Sequence, residues 1–295
     1  MDARHEPVML AETIALLDPS RGGVFVDCTV GLGGHARALL GAGASRLLGL
    51  DRDPEALRIA RDALGPWTDR VELVHSDYRD LRAVLETRSI ESVDGALADL
   101  GVSSMQLDAE GRGFSFRRDE PLDMRMDPTQ GPTAADLVAS AEEDDLANAI
   151  YQYGEERFSR RIARRIVEAR RTAPVATTGQ LADIVRRAVP RHGYQRIDPA
   201  TRTFQALRIW VNRELEGLDA FLVDASRVLR AGARLAVITF HSLEDRIVKH
   251  VFRALAAGEG ALRVLTRKPL IPGDDELARN PRARSAKLRA IERLA

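Results

Sequence analysis

A single cysteine, Cys28, stands in this chain of 295 residues. No intrachain disulfide can form, and no thiolate cluster can hold a structural zinc. An excess of one charge is absent too, because 44 Lys and Arg face 44 Asp and Glu. That excludes a uniformly basic nucleic-acid binder and leaves room for a local basic patch. No apolar run approaches the ~18 residues that a membrane-spanning helix needs. The first residues, Met1 to Pro7, are mixed in charge and lack a long apolar stretch. This argues against a secretory leader and sets the cytoplasm as the expected address. The six histidines are scattered without ligand spacing, so no metal is expected. Only Lys249, Lys268 and Lys287 are lysines, which reads first as the trace of a GC-rich genome. The rest is ordinary for a globular protein, 44% hydrophobic and 30% charged, and long enough for two domains or one core with an insertion.

The first hundred residues alternate strand and helix patterns. An apolar run at 24–28 predicts a buried strand, and further strands are expected at 46–50, 71–74 and 93–97, with helices at 35–40, from Pro54 through Ala60, and at 80–85. Pro54 suits the first turn of its helix, and Asp53 suits its cap. Strands joined by helical crossovers predict an α/β fold with a parallel, doubly wound sheet. The rhythm breaks after about residue 107. Residues 111–132 read as a long loop, and 142–150, 155–171 and 180–189 as helices. Residues 204–229 read as one long helix or two short ones, and 234–240 as a buried strand. The expected division is 1–107 and 206–295 for the core, with 108–205 as an inserted helical domain.

In an open parallel sheet, ligands sit beyond the carboxyl ends of the strands. Here those ends carry Asp27 with the turn Thr29-Val30-Gly31-Leu32-Gly33-Gly34-His35, then Asp51, Asp77-Tyr78 and Asp99. Glycines in a strand-to-helix turn let a ligand approach the backbone and the free N–H groups of the helix. Asp51, 18 residues after Gly33, can accept both hydroxyls of a ribose. Asp77 can accept an adenosine amine, and Tyr78 can face an adenine. Dinucleotide and S-adenosylmethionine enzymes share the first two devices. The acids at the third and fourth strand ends favour the latter.

These motifs resemble the RsmH (MraW) methyltransferases. Asp27-Cys28-Thr29 with Gly31 to His35 carries the likeness, as does Asp99-Leu100-Gly101-Val102-Ser103-Ser104-Met105-Gln106-Leu107-Asp108. So do Arg112 to Phe116, Pro121 to Asp127, Thr203 to Ile209, Phe240 to Arg246 and Asn280 to Arg289, and the match starts at His5. The resemblance implies a Rossmann-like class I methyltransferase core with an inserted helical domain. It implies S-adenosylmethionine as cofactor and the N4 amine of a cytosine in 16S rRNA, near the decoding centre (the P site) of the small ribosomal subunit, as acceptor. It places cofactor contacts at Gly33, Gly34, His35, Asp51, Tyr78, Asp99 and Gln106, to which the strand-end argument adds Asp77. Tyr78 stands where phenylalanine or another apolar residue is expected.

Methyl transfer to N4 needs an acceptor for the amine hydrogen, because the nitrogen lone pair is delocalised into the ring. Asp99, or a hydroxyl of Ser103 or Ser104, suits that role. His241 can take the released proton, or it can hold Asp99 and its loop in place. Phe114, Phe116 and Phe240 are candidates to pack on the base, with ordinary core packing as the alternative. Residues 157–171 hold seven arginines and one acid, and 279–293 form a second basic stretch. Both suit phosphate contact, with Glu142, Glu143, Asp144 and Asp145 balancing them elsewhere. A nicotinamide oxidoreductase and a non-enzymatic RNA assembly factor remain as rival readings. The oligomeric state, monomer or homodimer, stays open.

Overall fold

The computed structural model describes residues 6–190, 197–258 and 260–295, so the N-terminal residues and the match at His5 lie outside the described residues. The chain divides into two compact units, Met1–Gly101 with Leu215–Ala295, and Val102–Glu214. The expected cuts after 107 and 205 would each fall inside a helix. Each helix is one hydrogen-bonded element and stays whole, so the boundaries move to 101 and 214.

The first unit contains α1 (Leu10–Leu17), β1 (Val24–Asp27), α2 (Gly34–Gly41), β2 (Arg46–Asp51), α3 (Pro54–Ala63), β3 (Val71–His75), α4 (Leu81–Glu86) and β4 (Val93–Asp99). The second contains α5 (Ser104–Asp108), α6 (Ala134–Ser140), α7 (Glu143–Gly154), α8 (Ser159–Arg170), α9 (Thr178–Ala188) and α10 (Ala200–Asn212). The first unit resumes with α11 (Leu218–Arg227), β5 (Leu229–Thr239), α12 (Ser242–Ala257), β6 (Leu262–Val264), α13 (Asp274–Arg279) and β7 (Lys287–Arg293).

The sheet order is β3-β2-β1-β4-β5-β7-β6. Strands β1 to β5 pair in parallel, and β7 runs antiparallel to both β5 and β6. The parallel strands lack polar alternation because helices cover both faces. Val26, Leu48, Leu50, Ala96, Ala98, Leu235 and Val237 pack with Phe221, Leu222 and Phe252 on one side. Phe25, Leu47, Leu97, Ala236 and Ile238 pack with Met9, Leu17 and Leu39 on the other. Each fully buried Val, Leu, Ile, Met or Phe among them contributes about 1.5–3 kcal/mol. The order reverses at β1, where successive strands leave first toward β2 and then return to β4. That reversal opens a crevice at the carboxyl ends of β1 and β4.

The basic stretch at 279–293 is largely not a solvated tail. Its last seven residues are β7, and Arg289 is only 6% exposed, with its Nε donating to Asp245 Oδ1 at 2.6 Å. The charge count there hid the strand alternation. Three-residue β6 left no periodic signal at all.

In the second unit, Leu146, Ile150, Ile162, Ile166, Leu181, Val185, Phe204 and Leu207 form a helical core. Helix α7 ends at Glu155, which adopts a left-handed conformation with φ 48°. Thr177 opens α9 with a capping box to Gln180. The segment at 111–132 is irregular, as expected, but it is part of the core rather than a free loop. Phe114, Leu122, Met124 and Met126 are buried, and Leu122 N–H bonds Ala176 O at 2.9 Å. The stretch 204–229 resolves into α10 and α11, broken by left-handed Arg213 and Gly217. The acids expected to balance the arginines elsewhere lie against them instead, with Asp144 3.3 Å from Arg160 and Glu143 3.6 Å from Arg164. Among the described residues, no helix is long and apolar enough to cross a membrane.

Candidate active site

The strand ends of the first unit form a connected set. Beyond β1, Gly33 is the N-cap of α2 at φ 84°, a conformation that favours glycine, and it brings no side chain to cap the helix. The first-turn N–H groups of α2 therefore carry no side-chain cap. At Gly34 a Cβ would come within 2.4 Å of Pro7 Cγ, so the close approach requires glycine. Asp51, at the end of β2, ties this turn down. Its Oδ2 accepts Gly31 N–H and its Oδ1 accepts Asp53 N–H, both at 2.8 Å. Asp53 in turn caps α3 by accepting Glu55 N–H at 3.0 Å, as its position before Pro54 predicts.

Three carboxyls here are held against ionisation. Asp27 is 1% exposed. Its Oδ1 accepts Thr29 N–H at 3.2 Å, whereas its buried Oδ2 has no hydrogen-bond partner. Burial, aided by the Asp51 charge, raises its pKa to about 7 despite the Thr29 bond. Burial also raises Asp51 to about 6, against its two backbone bonds. Asp99, at the end of β4, is raised well above the carboxylate range, first by burial and then by Asp27 and Glu244. Its backbone N–H donates to Thr29 Oγ1 at 2.6 Å, and its buried Oδ1 has no partner. Its Oδ2 lies 3.8 Å from His35 Nδ1. His35 is buried, and its Nε2 is 3.0 Å from Val8 O, so Nε2 carries the hydrogen and Nδ1 faces Asp99. Unpartnered buried carboxylate oxygens beside uncapped helix N–H groups suit a zwitterionic ligand with a hydroxylated body.

At the end of β3 the expected acceptor is already engaged. Arg79 grips Asp77 through two bonds, Nε to Oδ1 at 2.8 Å and Nη2 to Oδ2 at 2.7 Å, and Arg52 Nη1 lies 3.6 Å from Oδ2. Burial works against ionisation of Asp77, but these guanidiniums outweigh it and hold the carboxyl low. Tyr78 packs on Phe221 with ring centroids 4.7 Å apart. Asp77 thus fixes the loop, and Tyr78 is braced from behind.

His241 follows β5 and is the N-cap of α12. Its Nδ1 accepts Glu244 N–H at 3.4 Å, and its Nε2 lies 3.1 Å from Glu244 Oε1. Glu244 is 1% exposed, and its Oε2 accepts Phe240 N–H at 2.9 Å. The nitrogen that a general base would use is therefore spent on the cap. Through Glu244, the same turn also bears on Asp99.

The remaining expected residues, Phe240 excepted, belong to the second unit. Ser103 and Gln106 form the capping box of α5: Ser103 Oγ accepts Gln106 N–H at 3.2 Å and Gln106 Oε1 accepts Ser103 N–H at 2.9 Å. Ser104 is the first residue of that helix. Phe114 is buried in the helical core, which overturns it as a surface for a base. Phe116 is partly buried and meets Phe204 at 4.8 Å. Phe240, in the first unit, is partly buried against the core.

Thr29, Glu244 and Arg79 escaped sequence reasoning. The spacing His241-x-x-Glu244 is a capping-box signal that was available. Thr29, two residues past a strand-end acid, is a turn position, and nothing local announces its bond to Asp99.

The MraW methylase family profile matches residues 2–294. A protein of Cyanothece sp. is 54% identical over 291 residues, covering 98% of this chain and 95% of its own length. One from Nitrobacter winogradskyi is 52% identical over 303 residues, covering 98% and 91%. One from Geotalea uraniireducens is 48% identical over 310 residues, covering 99% of each. All three are named ribosomal RNA small subunit methyltransferase H.

Proposed function

The chain belongs to the MraW methylase family, and on that premise we propose that it methylates the N4 amine of a cytosine in 16S rRNA, in the decoding region of the small ribosomal subunit. Its core is a Rossmann-like class I methyltransferase fold, and its cofactor is S-adenosylmethionine. The family match removes the nicotinamide alternative. One observation carries the site assignment: Asp27 and Asp99 keep buried carboxylate oxygens without partners where β1 and β4 diverge.

When bound, S-adenosylmethionine supplies a methyl group activated by an adjacent sulfonium. The donor set fits that cofactor. The uncapped N–H groups of α2 suit its carboxylate, Asp51 its ribose hydroxyls, and Asp27 with Asp99 its ammonium. Gly33 and Gly34 keep the backbone bare there, His35 braces Asp99, and Tyr78 offers a ring edge for adenine. Asp77 acts on this site by holding its loop through Arg79. Gln106 is assigned by family likeness alone.

In the transfer, N4 would take the methyl group as the carbon–sulfur bond breaks to leave the neutral thioether, and the nitrogen would release one proton to solvent. Asp99 accepts the hydrogen bond of that amine and favours charge build-up on nitrogen. Ser103 and Ser104, a few residues further along the chain, are further candidates to orient the amine. His241 acts as a positioning residue, because its Nδ1 is committed to the α12 cap. The substrate is RNA within the small subunit, in the cytoplasm.

The test supplies labelled S-adenosylmethionine to small subunits lacking the modification and, in parallel, to naked rRNA, and identifies the product nucleoside by mass spectrometry. N4-methylcytidine on subunits is the expected result. A different methylated nucleoside would overturn the N4 assignment. Cofactor binding without any transfer would overturn the activity.

A further inference from the structure

A cavity of about 420 Å³ lies on the first unit between α12 and the β6–β7 edge, away from the strand ends. Lys249 and Arg253 are four residues apart on α12 and therefore share one face. Arg267 follows β6, and Arg289 rises from β7. These four cations line the cavity with no acid among the lining residues. Its floor is apolar, formed by Phe252 and Val264. Strand β6, at the edge of the sheet, lies three strand spacings, roughly 15 Å, from β4. Lys249 is seven residues into α12, about 10 Å along the helix from its start beside β5.

Among the described residues, two neighbouring acids are already committed. Asp245 holds Arg289 at 2.6 Å and Lys287 at 3.1 Å, and those cations outweigh burial to keep its carboxyl low. Glu292 is on the opposite face of β7 from Arg289, by strand alternation, where it pairs with Arg234 and Arg263. Lys249, Arg253 and Arg267 are left facing the cavity. Arg253 and Arg267 are exposed, Lys249 is half-buried, and Arg289 is nearly buried, fixed by its carboxylate. A cationic rim over an apolar floor, in a volume within the small-ligand range, matches one nucleotide, with its phosphate on the rim and its base on the floor.

We propose that this cavity is a second RNA-binding site, which takes a single unstacked nucleotide of the substrate strand outside the methylation site. It rests on the reading that the substrate is RNA. Its role is to anchor the strand, so it acts on binding and leaves the chemistry at Asp99 untouched.

The test is the affinity of a 16S rRNA fragment, measured by filter binding across a salt series, for wild type, R253E/R267E and R253K/R267K. S-adenosylmethionine affinity by calorimetry checks that each variant is folded, since neither residue belongs to the cofactor set. The charge-reversed variant is expected to lose tenfold or more in RNA affinity with unchanged cofactor affinity. Its slope of log affinity against log salt should shrink by about 0.7 or more for each phosphate that is no longer neutralised. The lysine variant should recover most of the affinity. Added cytidine monophosphate should compete only weakly, whereas tight binding of the free nucleotide would point to a mononucleotide site and overturn the anchoring role. Unchanged RNA affinity and slope in R253E/R267E would overturn the proposal, as would a wild type that binds no RNA. A methyl-transfer assay run alongside separates the two readings: a pocket-dependent RNA affinity without transfer leaves the anchoring site standing and removes the proposed reaction.

Discussion

In the sheet-bearing unit, Asp27, Asp51 and Asp99 have their carboxyls pushed up, burial being the first cause in each. In the helical unit, Asp119, Asp123 and Asp136 are held down. The Thr177 side chain and Gly179 N–H bond Asp119, Arg125 overcomes the burial of Asp123, and Thr133 bonds Asp136. The second group is satisfied by its own chain, at caps and bidentate pairs. The first group includes Asp27 and Asp99, each with a buried oxygen that the chain leaves unmet. Residue type does not distinguish a structural carboxylate from one kept for a ligand. The balance of burial against partners does, and it sets the direction of the pKa shift: Asp51 is raised although both its oxygens accept N–H bonds, whereas Arg125 outweighs the burial of Asp123.

The comparison is easiest to break at Asp99. Asp99→Asn keeps the shape and replaces a carboxyl oxygen by an amide that can only donate there, and it should lower single-turnover methyl transfer by about a hundredfold or more. A variant within threefold of wild type would put Asp99 among the structural acids. Asp51→Ala comes next, because it removes the acceptor for two backbone N–H groups as well as the proposed ribose contact. Calorimetry should show cofactor affinity reduced by one to two orders of magnitude, equivalent to about 1.4–2.8 kcal/mol.

Asp27 sharpens the contrast through pH. Its folded pKa of about 7 lies above the roughly 3.9 of an unfolded Asp, so the folded state binds the proton more tightly. The resulting stability is fully present below about pH 4 and is lost as pH rises through 7. Asp51 contributes with the same sign. In Asp27→Asn the decline in urea midpoint between pH 5 and 8 should become shallower. An unchanged decline would mean that Asp27 is ionised in the fold. The smallest effect belongs to the helical unit. Asp123→Ala breaks a half-exposed pair with Arg125 and should lower unfolding free energy by about 1 kcal/mol, with cofactor affinity unmoved.

Much of this was legible in sequence because strand ends announce themselves. The last three or four residues before Asp27, Asp51 and Asp99 are free of polar side chains, as buried parallel strands require. Pro54 after Asp53 fixed a helix start to the residue. The remainder depended on contacts that no window of sequence holds. Arg79 reaches Asp77 by folding back over the one residue between them in a tight turn, so a candidate ligand acceptor became a loop clamp. In β7, Lys287, Arg289 and Arg293 masked the buried Leu288, Ala290 and Ile291. His241 looked available because its ring is reactive in isolation, whereas Glu244, three residues on, commits Nδ1 to a cap.

The pairing of β4 with β5 also has a temporal meaning. Leu97 sits opposite Ala236, yet the whole of Val102–Glu214 lies between them in the chain. As the polypeptide leaves the ribosome, β1 to β4 emerge first, and β4 then stays an open edge while the insertion is translated. The insertion needs only its own near-neighbour helices to collapse, so it can be complete while the sheet is half built. Nascent-chain vulnerability to aggregation is thus concentrated in one interval, between the emergence of β4 and the arrival of β5.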